Sequence, residues 1–300
     1  MYHYVRDTAR TEFPDIRALS PRTFEQQLDW LQERHEIVGA AAVEAALAGA
    51  ASLPERAALL TFDDGFVDHF ETVLPILRTR GLSGIFFVSG ATLGPAPRML
   101  GVHKTHFLLA RLGADTFGKA VLATCASATL GDAARARVFG ADAWERTDER
   151  AIKKLLNYEL SFEDSERVLS ELFAEHIGDE SAFARALYLN EAQIAEMASA
   201  GLSFGYHTQT HRMLSRLDAA DQRAELLDGP ARIAALTGQD QVSFCYPWGG
   251  TGTYTSDTLA ILGEAGYSMA FNTVRREAQL GVDGRFELPR VDTRDLPPHQ

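Results

Sequence analysis

The sequence predicts an α/β fold, an irregular (β/α) barrel of seven or eight strands with a large helical insertion. Short apolar runs that end in turn residues alternate with segments of helical periodicity, as is typical of parallel strands connected by helices. The alternation stops between about residues 91 and 189, where the sequence is helical in character. The 300 residues suffice for one large barrel. We therefore predict a single domain over 1–300, interrupted by a helical insertion at about 91–189.

Eight apolar segments are predicted as strands. They lie at about 2–5, 36–38, 58–62, 84–88, 202–206, 242–246, 268–272 and 286–292. Helical periodicity predicts the connecting helices at about 24–33, 40–47, 67–80, 190–200, 219–236 and 256–264. Gly81 is expected to end the third of these helices, and Asn190 to cap the fourth.

Composition argues against several classes of main partner. A formal net charge of −12 argues against nucleic acid or an anionic membrane surface. No run of eighteen or more apolar residues occurs, so no membrane span is predicted. The two cysteines, Cys125 and Cys245, are expected to be buried thiols.

With no leader-like segment at its start, the chain is expected to be cytoplasmic; its oligomeric state cannot be inferred from the sequence.

Two adjacent carboxylates, Asp63 and Asp64, follow the apolar run at 58–62 and precede Gly65. Reactive groups of parallel sheets lie where strands end, and side chains alternate in direction along a strand. The two carboxylates should therefore point in different directions, and they would repel each other without a cation or a shared proton. Taken alone, the same residues could form an ordinary turn.

Two histidines, His207 and His211, follow a second apolar run at 202–206. Histidines four residues apart can present nitrogens to one cation. One carboxylate together with two imidazoles leaves coordination positions open for water and substrate, as catalytic metal sites require. The sequence therefore predicts a metal site that joins these two strand ends.

The segments Thr-Phe-Asp-Asp-Gly at 61–65 and His-Thr-Gln-Thr-His at 207–211 resemble the first two motifs of the polysaccharide deacetylases, the NodB-homology or carbohydrate esterase 4 family. The resemblance implies a metal-dependent N-deacetylase of amino sugars. It implies that Asp64, His207 and His211 hold the metal, while Asp63 is the general base that acts on metal-bound water. The expected ion is Zn²⁺, with Co²⁺, Ni²⁺, Mn²⁺ or Fe²⁺ as alternatives that depend on geometry and supply.

The segment Tyr246-Pro247-Trp248-Gly249 resembles a Tyr-Pro-aromatic-Gly variant of the third family motif. The backbone N–H of Trp248 would donate a hydrogen bond to the oxyanion, and the glycine would permit close approach of the backbone. The Trp248 ring could instead be a core aromatic or a wall for a sugar ring. The four residues are thus predicted to bind substrate and the oxyanion.

One position departs from the better-known form of this family, which has an arginine two residues before the proline. Cys245 occupies that position here. In relatives with the Tyr-Pro variant, an arginine in a Leu-Pro-Arg segment replaces it, and Arg290 at 288–290 matches. A guanidinium beside Asp63 would keep that base ionised and oriented. The alternative for Arg290 is a surface ion pair.

The general acid is a second departure. The family's last motif places a histidine on a late strand, whereas the only late histidine here is His299, to which we do not assign the role. Closure of a barrel makes the first strand a neighbour of the last, so His3 should lie near that region. We predict that His3 binds substrate or replaces the acid; a structural histidine at a strand end is equally compatible.

Three functions remain open at this point. The first is removal of an acetyl group from an N-acetylated sugar or glycan. The second is hydrolysis of another C–N amide, such as a formamide, a cyclic imide or a ureide. The third is sugar binding without catalysis, although binding alone would require only Asp64 of the two aspartates. A phosphoryl-transfer site is disfavoured, because its two aspartates need one residue between them.

Overall fold

The structure is a computed structural model that describes residues 1–125 and 148–298. Within it the chain divides into two compact units. The first comprises Met1–Asp7, Ala18–Pro97 and Arg185–Gln300, and the second comprises Thr8–Arg17 and Arg98–Ala184. Every residue of the candidate site belongs to the first unit.

The first unit is built on parallel strands. In chain order they are β1 (Glu36–Ile37), β2 (Ala57–Ala58), β3 (Thr61–Phe62), β4 (Ile85–Val88), β5 (Ser203–Tyr206), β6 (Ser243–Cys245) and β7 (Ala270–Phe271). Strands β3 to β7 form one sheet in sequence order, with every neighbouring pair parallel. This arrangement confirms the predicted α/β barrel class.

The segment at 36–38 is a correction to the predicted barrel. Strand β1 pairs only with β2, in a separate two-stranded sheet. Glu36 is exposed and Ile37 only partly buried, whereas both residues of β3 are buried. A strand of a parallel barrel is covered on both faces, and this segment does not meet that requirement.

Single bridges extend the five-stranded sheet at both edges. Tyr2 pairs with Phe62 at one edge, and Leu288 pairs with Phe271 at the other, both in the parallel sense. The backbone nitrogen of Met1 then donates to the carbonyl of Val291 at 2.7 Å. The first segment therefore lies beside the last, which confirms the neighbour relation predicted from barrel closure.

The α-helices of the first unit follow the predicted order. They are α1 (Pro21–Arg34), α2 (Ala40–Leu47), α3 (Leu74–Arg80), α8 (Glu191–Ser199), α9 (Ala219–Leu226), α10 (Gly229–Thr237) and α11 (Ser256–Ala265). Helix α3 ends at left-handed Gly81, and Asn190 forms a capping box with Gln193 at the start of α8, as predicted. A π-helical turn, His69–Val73, precedes α3 where α-helix was expected.

Both faces of the sheet are covered by apolar side chains. Phe86 and Val88 of β4 belong to one buried cluster, and Ile85 and Phe87 to another. Alternate residues of a strand point to opposite faces, so continuous apolar runs are expected on such strands. The rings of Phe62 and Phe86 stack at 4.5 Å across β3 and β4. This core fixes the strand ends that carry the site.

The second unit is helical. Its helices are α4 (Gly101–Thr124), α5 (Glu149–Lys154), a π-helical turn (Leu155–Glu159), α6 (Phe162–His176) and most of α7 (Glu180–Leu187). Phe183 packs edge-to-face against Phe107 and Phe173. Buried Lys104 contacts Glu166 and Glu180 at 3.0 Å each. Across the part of the chain that the structure describes, no helix combines the length and apolarity needed to cross a bilayer.

Candidate active site and metal centre

The candidate residues lie where the parallel strands of the first unit end. Asp63 and Asp64 follow β3, and His207 follows β5. Tyr246 follows β6. Because the carboxyl ends of parallel strands meet at one edge of a sheet, these side chains share one side of the barrel.

Backbone strain is concentrated in these loops. Four non-glycine residues among those described have positive φ, and all four lie in the predicted motifs: Asp64 (75°), Thr208 (62°), His211 (61°) and Trp248 (66°). Such a conformation costs about 1–3 kcal/mol per residue and persists only where surrounding contacts impose it. The three loops are therefore fixed by their surroundings, as is common at functional sites.

The predicted metal ligands converge. Oδ1 of Asp64 lies 3.6 Å from Nε2 of His207 and 3.5 Å from Nε2 of His211. The three ligand atoms lie within 4.8 Å of one another, and each side chain is at most 9% exposed. Ligand atoms bind Zn²⁺ at about 2 Å, so two ligands of one ion lie at most about 4 Å apart. Both distances from Asp64 satisfy this limit.

The tautomer and charge of His207 are those that a metal ligand requires. Its Nδ1 lies 2.7 Å from the carbonyl of Cys245, which can only accept, so Nδ1 carries the proton. Burial lowers the pKa of His207 despite the nearby charges of Asp63 and Asp64, so the ring is neutral. Its Nε2 then presents a lone pair toward Asp64. A divalent cation shared by these donors would relieve the repulsion between them, so the residues present fit a metal ion.

Asp63 faces a different partner. Its two carboxylate oxygens accept hydrogen bonds from Nη1 and Nη2 of Arg290 at 2.7 and 2.8 Å. The side chains are 3% and 5% exposed. Burial alone would raise the pKa of Asp63, but the charge and hydrogen bonds of Arg290 hold it well below its usual range. The structure therefore separates the adjacent carboxylates, Asp63 against an arginine and Asp64 against two imidazoles.

All five N–H groups of Arg290 have acceptors. Besides the two bonds to Asp63, Arg290 donates to the carbonyl of Asn272 at 3.0 Å and to Oγ1 of Thr61 at 3.2 Å. The fifth bond goes to Sγ of Cys245 at 3.0 Å. A surface ion pair, the alternative considered for Arg290, is wrong, because the residue is 6% exposed. The guanidinium also fills the space beside Asp63, which disfavours a metal on Asp63, His207 and Cys245, although their ligand atoms also lie close together.

The first segment brings His3 to the site. Its Nε2 lies 3.8 Å from Oδ2 of Asp63, and 44% of its side chain is exposed. The backbone carbonyl of His3 accepts a hydrogen bond from Nε2 of buried His69 at 3.0 Å. His3 thus has one face on the carboxylate and one on solvent. His299, to which we did not assign the acid role, lies outside the described residues.

The third motif is held by its neighbours. The hydroxyl of Tyr246 donates to the carbonyl of Phe286 at 2.7 Å. The ring of Trp248 lies 5.8 Å from that of His211, edge to face, and is partly exposed rather than in the core. Pro247, which links these two residues, is buried and accepts a hydrogen bond from the N–H of Gly249.

Gly249 is sterically required. Its φ is 57°, and a Cβ there would lie 2.7 Å from Cγ2 and 2.9 Å from the backbone nitrogen of Thr273. The glycine carbonyl accepts a hydrogen bond from that same nitrogen at 2.9 Å. No side chain can be added at Gly249 without moving the loop that carries Trp248.

Three residues that support the site were not predicted. His69 contacts His3, Asn272 accepts from Arg290, and Glu225 binds the loop between the two histidines. Each lies in a segment whose pattern predicts only a helix or a strand. The sequence does not indicate whether a polar residue inside such a segment is buried or exposed. It therefore contains no signal from which the roles of these three residues could be predicted.

Comparison with known proteins identifies the class. The family model described as polysaccharide deacetylase matches residues 50–106 and 168–270, more than half of the chain. The chain belongs to the polysaccharide deacetylase family. The Tyr-Pro-aromatic-Gly form of its third motif stays a prediction.

Particular relatives are similar over different lengths. A stretch of 80 residues, 26% of the chain, is 39% identical to the poly-β-1,6-N-acetyl-D-glucosamine N-deacetylase of Escherichia coli K12, but it spans only 11% of that protein. The structure of the Streptococcus pyogenes deacetylase PplD matches with a TM-score of 0.58 and 18% sequence identity; the match covers 97% of this chain and 89% of the PplD chain. The structure of IcaB from Ammonifex degensii matches with a TM-score of 0.58 and 21% identity; the match covers 98% of this chain and 90% of the IcaB chain. These structures share the NodB-like barrel fold.

Proposed function

We propose that the protein is a metal-dependent N-deacetylase that hydrolyses the acetamide of an N-acetylated amino sugar or glycan. The observation that carries the proposal is the separation of the adjacent carboxylates. Asp64 lies with two histidines as a metal ligand set, while Asp63 is held ionised by Arg290. A protein that only bound sugar would need the first arrangement but not the second.

The proposed metal ligands are Asp64, His207 and His211. A divalent cation held there would supply a Lewis acid that polarises the amide carbonyl and lowers the pKa of the attacking water. Zn²⁺ is the first ion to test, followed by Co²⁺, Ni²⁺, Mn²⁺ and Fe²⁺, because this donor set accepts all five.

Asp63 is the proposed general base. A carboxylate offers about four lone-pair positions, and the two bonds from Arg290 leave others for the proton of the attacking water. Because Arg290 keeps the pKa of Asp63 low, the carboxylate is ionised at neutral pH. Its low basicity is compatible with this role when the water itself has been made more acidic.

His3 is the proposed proton donor to the leaving nitrogen. Its partly exposed ring lies 3.8 Å from Asp63. The segment that carries His3 pairs with β3 through Tyr2 and contacts Val291 through Met1, so it lies between Asp63 and the segment that carries Arg290. Water adds to the carbonyl carbon, Asp63 takes its proton, and the C–N bond breaks as His3 protonates the nitrogen. The products are acetate and a free amine.

The segment at 246–249 is proposed to bind substrate. The backbone N–H of Trp248 would donate to the oxyanion. The partly exposed ring of the same residue offers an apolar face to a sugar. Gly249 allows the backbone to adopt the required conformation. The name of the Escherichia coli relative makes poly-β-1,6-N-acetyl-D-glucosamine the first polymer to test.

The test is acetate release from a panel of N-acetylated sugars and glycans, with metal-reconstituted protein and the variant Asp63→Asn. We expect acetate from the wild type with metal. The variant should bind the same amount of metal and lose about 10²–10⁴-fold in kcat, the usual contribution of a general base. Stoichiometric metal without acetate from any substrate would overturn the deacetylase proposal in favour of another amide or a binding role.

A further inference from the structure

The loop between the two histidine ligands is held in a conformation that its own sequence does not favour. Thr208 and His211 both have positive φ, although neither is glycine. The spacing of the imidazoles depends on this backbone, because His207 and His211 are joined only by the residues 208–210. Whatever fixes those three residues also fixes the separation of the two ligands.

One buried carboxylate binds the centre of this loop. Glu225 lies on α9, is 5% exposed, and accepts the backbone N–H of Thr210 at 2.7 Å through Oε2. Its Oε1 accepts a hydrogen bond from the hydroxyl of the same threonine. The backbone carbonyl of Glu225 accepts the N–H of Gln209 at 3.0 Å. A single residue thus binds both consecutive N–H groups of the loop centre.

The opposite side of the loop is bound by the segment after β4. The N–H of Gly90 donates to the carbonyl of Thr208 at 2.9 Å, and that of Ala91 donates to the carbonyl of Gln209 at 2.7 Å. These contacts involve backbone atoms, which persist through side-chain substitution. On the α9 side, by contrast, the N–H and the hydroxyl of Thr210 both donate to the Glu225 carboxylate. Glu225 is therefore a side chain whose substitution removes contacts with the loop centre while the backbone contacts on the opposite side stay in place.

We propose that Glu225 is a positioning residue that fixes His207 and His211 at the separation a divalent cation requires. The inference rests on the proposed function, since it assumes that these histidines are ligands. Glu225 acts on the two histidines through Thr210, which lies between them in the chain. Groups that hydrogen-bond directly to a metal ligand contribute about 10–100-fold to metal affinity, and we expect a contribution of that order from Glu225, which binds the loop between two ligands.

The test measures the dissociation constant for Zn²⁺ by competition with a chromophoric chelator, without substrate. Glu225→Gln keeps the shape of the side chain but removes its charge, so the bond from the Thr210 N–H loses its charge assistance and the Thr210 hydroxyl must accept from the new NH₂ group instead of donating to a carboxylate oxygen. We expect affinity to fall about 10–100-fold. Thr210→Val should cause a similar loss, and the double variant should lose much less than the product of the two single losses.

Controls separate positioning from general destabilisation. Glu264→Gln is the same substitution in an exposed ion pair with Arg223, and should leave the affinity unchanged. Thermal unfolding of each metal-free variant shows whether it is folded at the assay temperature. A merely structural role would lower Tm while leaving the affinity of the folded protein unaltered. If Glu225→Gln fails to fold, Thr210→Val alone decides, because it removes the hydroxyl bond and retains the carboxylate.

Two failures are distinguishable. If the wild type binds no Zn²⁺, or if Asp64→Asn binds as tightly as the wild type, the proposed metal site is wrong and this inference falls with it. If the wild type binds one ion, Asp64→Asn abolishes binding, and folded Glu225→Gln and Thr210→Val bind as tightly as the wild type, the metal site stands and the role of Glu225 is overturned.

Discussion

Replacing Arg290 with methionine should strongly destabilise the protein, because the Asp63 carboxylate would remain buried without its cation. The two side chains are 5% and 3% exposed, so solvent offers little compensation. Breaking a buried pair by removing one partner costs about 3–5 kcal/mol. Asp63 could instead take up a proton, but protonating a group with an ordinary pKa of 3.8 at pH 7 costs about 4 kcal/mol. The two routes therefore predict a similar loss.

The pH dependence of this loss in the free energy of unfolding is a more specific test than its size. In the wild type the pKa of Asp63 lies below 3.8, so its contribution to stability is present above that pH and is lost as pH falls further. In Arg290→Met the two largest contributions that lower the pKa of Asp63 are removed, and burial, the largest contribution of all, raises it above 3.8 against the smaller effects of His3 and His207. The variant's deficit should therefore grow as pH rises from about 4 to the new pKa, by up to about 1.4 kcal/mol per pH unit.

Urea unfolding of chelator-treated protein at several pH values between 4 and 7 measures this difference. Titrating groups distant from the pair are common to both proteins and cancel when the two free energies of unfolding are subtracted. Burial and the charge of Arg290 both lower the pKa of His207 and of the Met1 amino group, so both groups bind protons more readily in the variant and add to the same trend. Arg275→Met, in an exposed pair with Asp295, is the matched control and should change stability little at any pH. A deficit for Arg290→Met below about 1 kcal/mol, or one that does not vary with pH, would refute the reasoning.

Two further substitutions test the acid and the third motif. His3→Gln should lower kcat about 10²–10⁴-fold with little change in Tm, because the ring is 44% exposed; unchanged turnover would remove His3 from the mechanism. Gly249→Ala should destabilise the protein by about 1–3 kcal/mol and lower kcat/KM, because its Cβ would meet Thr273. Gly252→Ala, also at positive φ but in open space, is its control in urea unfolding; equal losses in both variants would contradict the steric argument.

The sequence pattern indicates which segments form strands more reliably than it indicates which strands pair with each other. The run that became β4 is recognisable because burial on both faces requires consecutive apolar residues. The segment at 36–38 was also recognised as a strand, but nothing in its pattern indicates that it pairs with β2 instead of joining the barrel. Pairing depends on contacts distant in sequence, which local periodicity does not encode.

The same limit applies to the site. The positions of Asp64 and the two histidines followed from strand ends, because the carboxyl ends of parallel strands must meet. Glu225 could not be predicted in this way. It lies on α9 near Arg223, whose exposed pair with Glu264 is the usual arrangement for charges on such a helix. Only the packing of α9 against the loop at 207–211 gives Glu225 a different role.

The exchange of arginine positions predicted from the sequence is consistent with the packing around Asp63. Arg290 approaches Asp63 from a segment 227 residues away, and its Nη2 contacts Sγ of Cys245 at 3.0 Å. An arginine at position 245 would need the volume that this guanidinium now fills, and it would bring a second cation to the same carboxylate. Cysteine is small, and burial keeps its thiol neutral by raising its pKa, so it leaves both the space and the charge to Arg290. The carboxylate needs one guanidinium, and in this chain the segment after the Leu288 bridge supplies it, so position 245 requires only a small, neutral side chain.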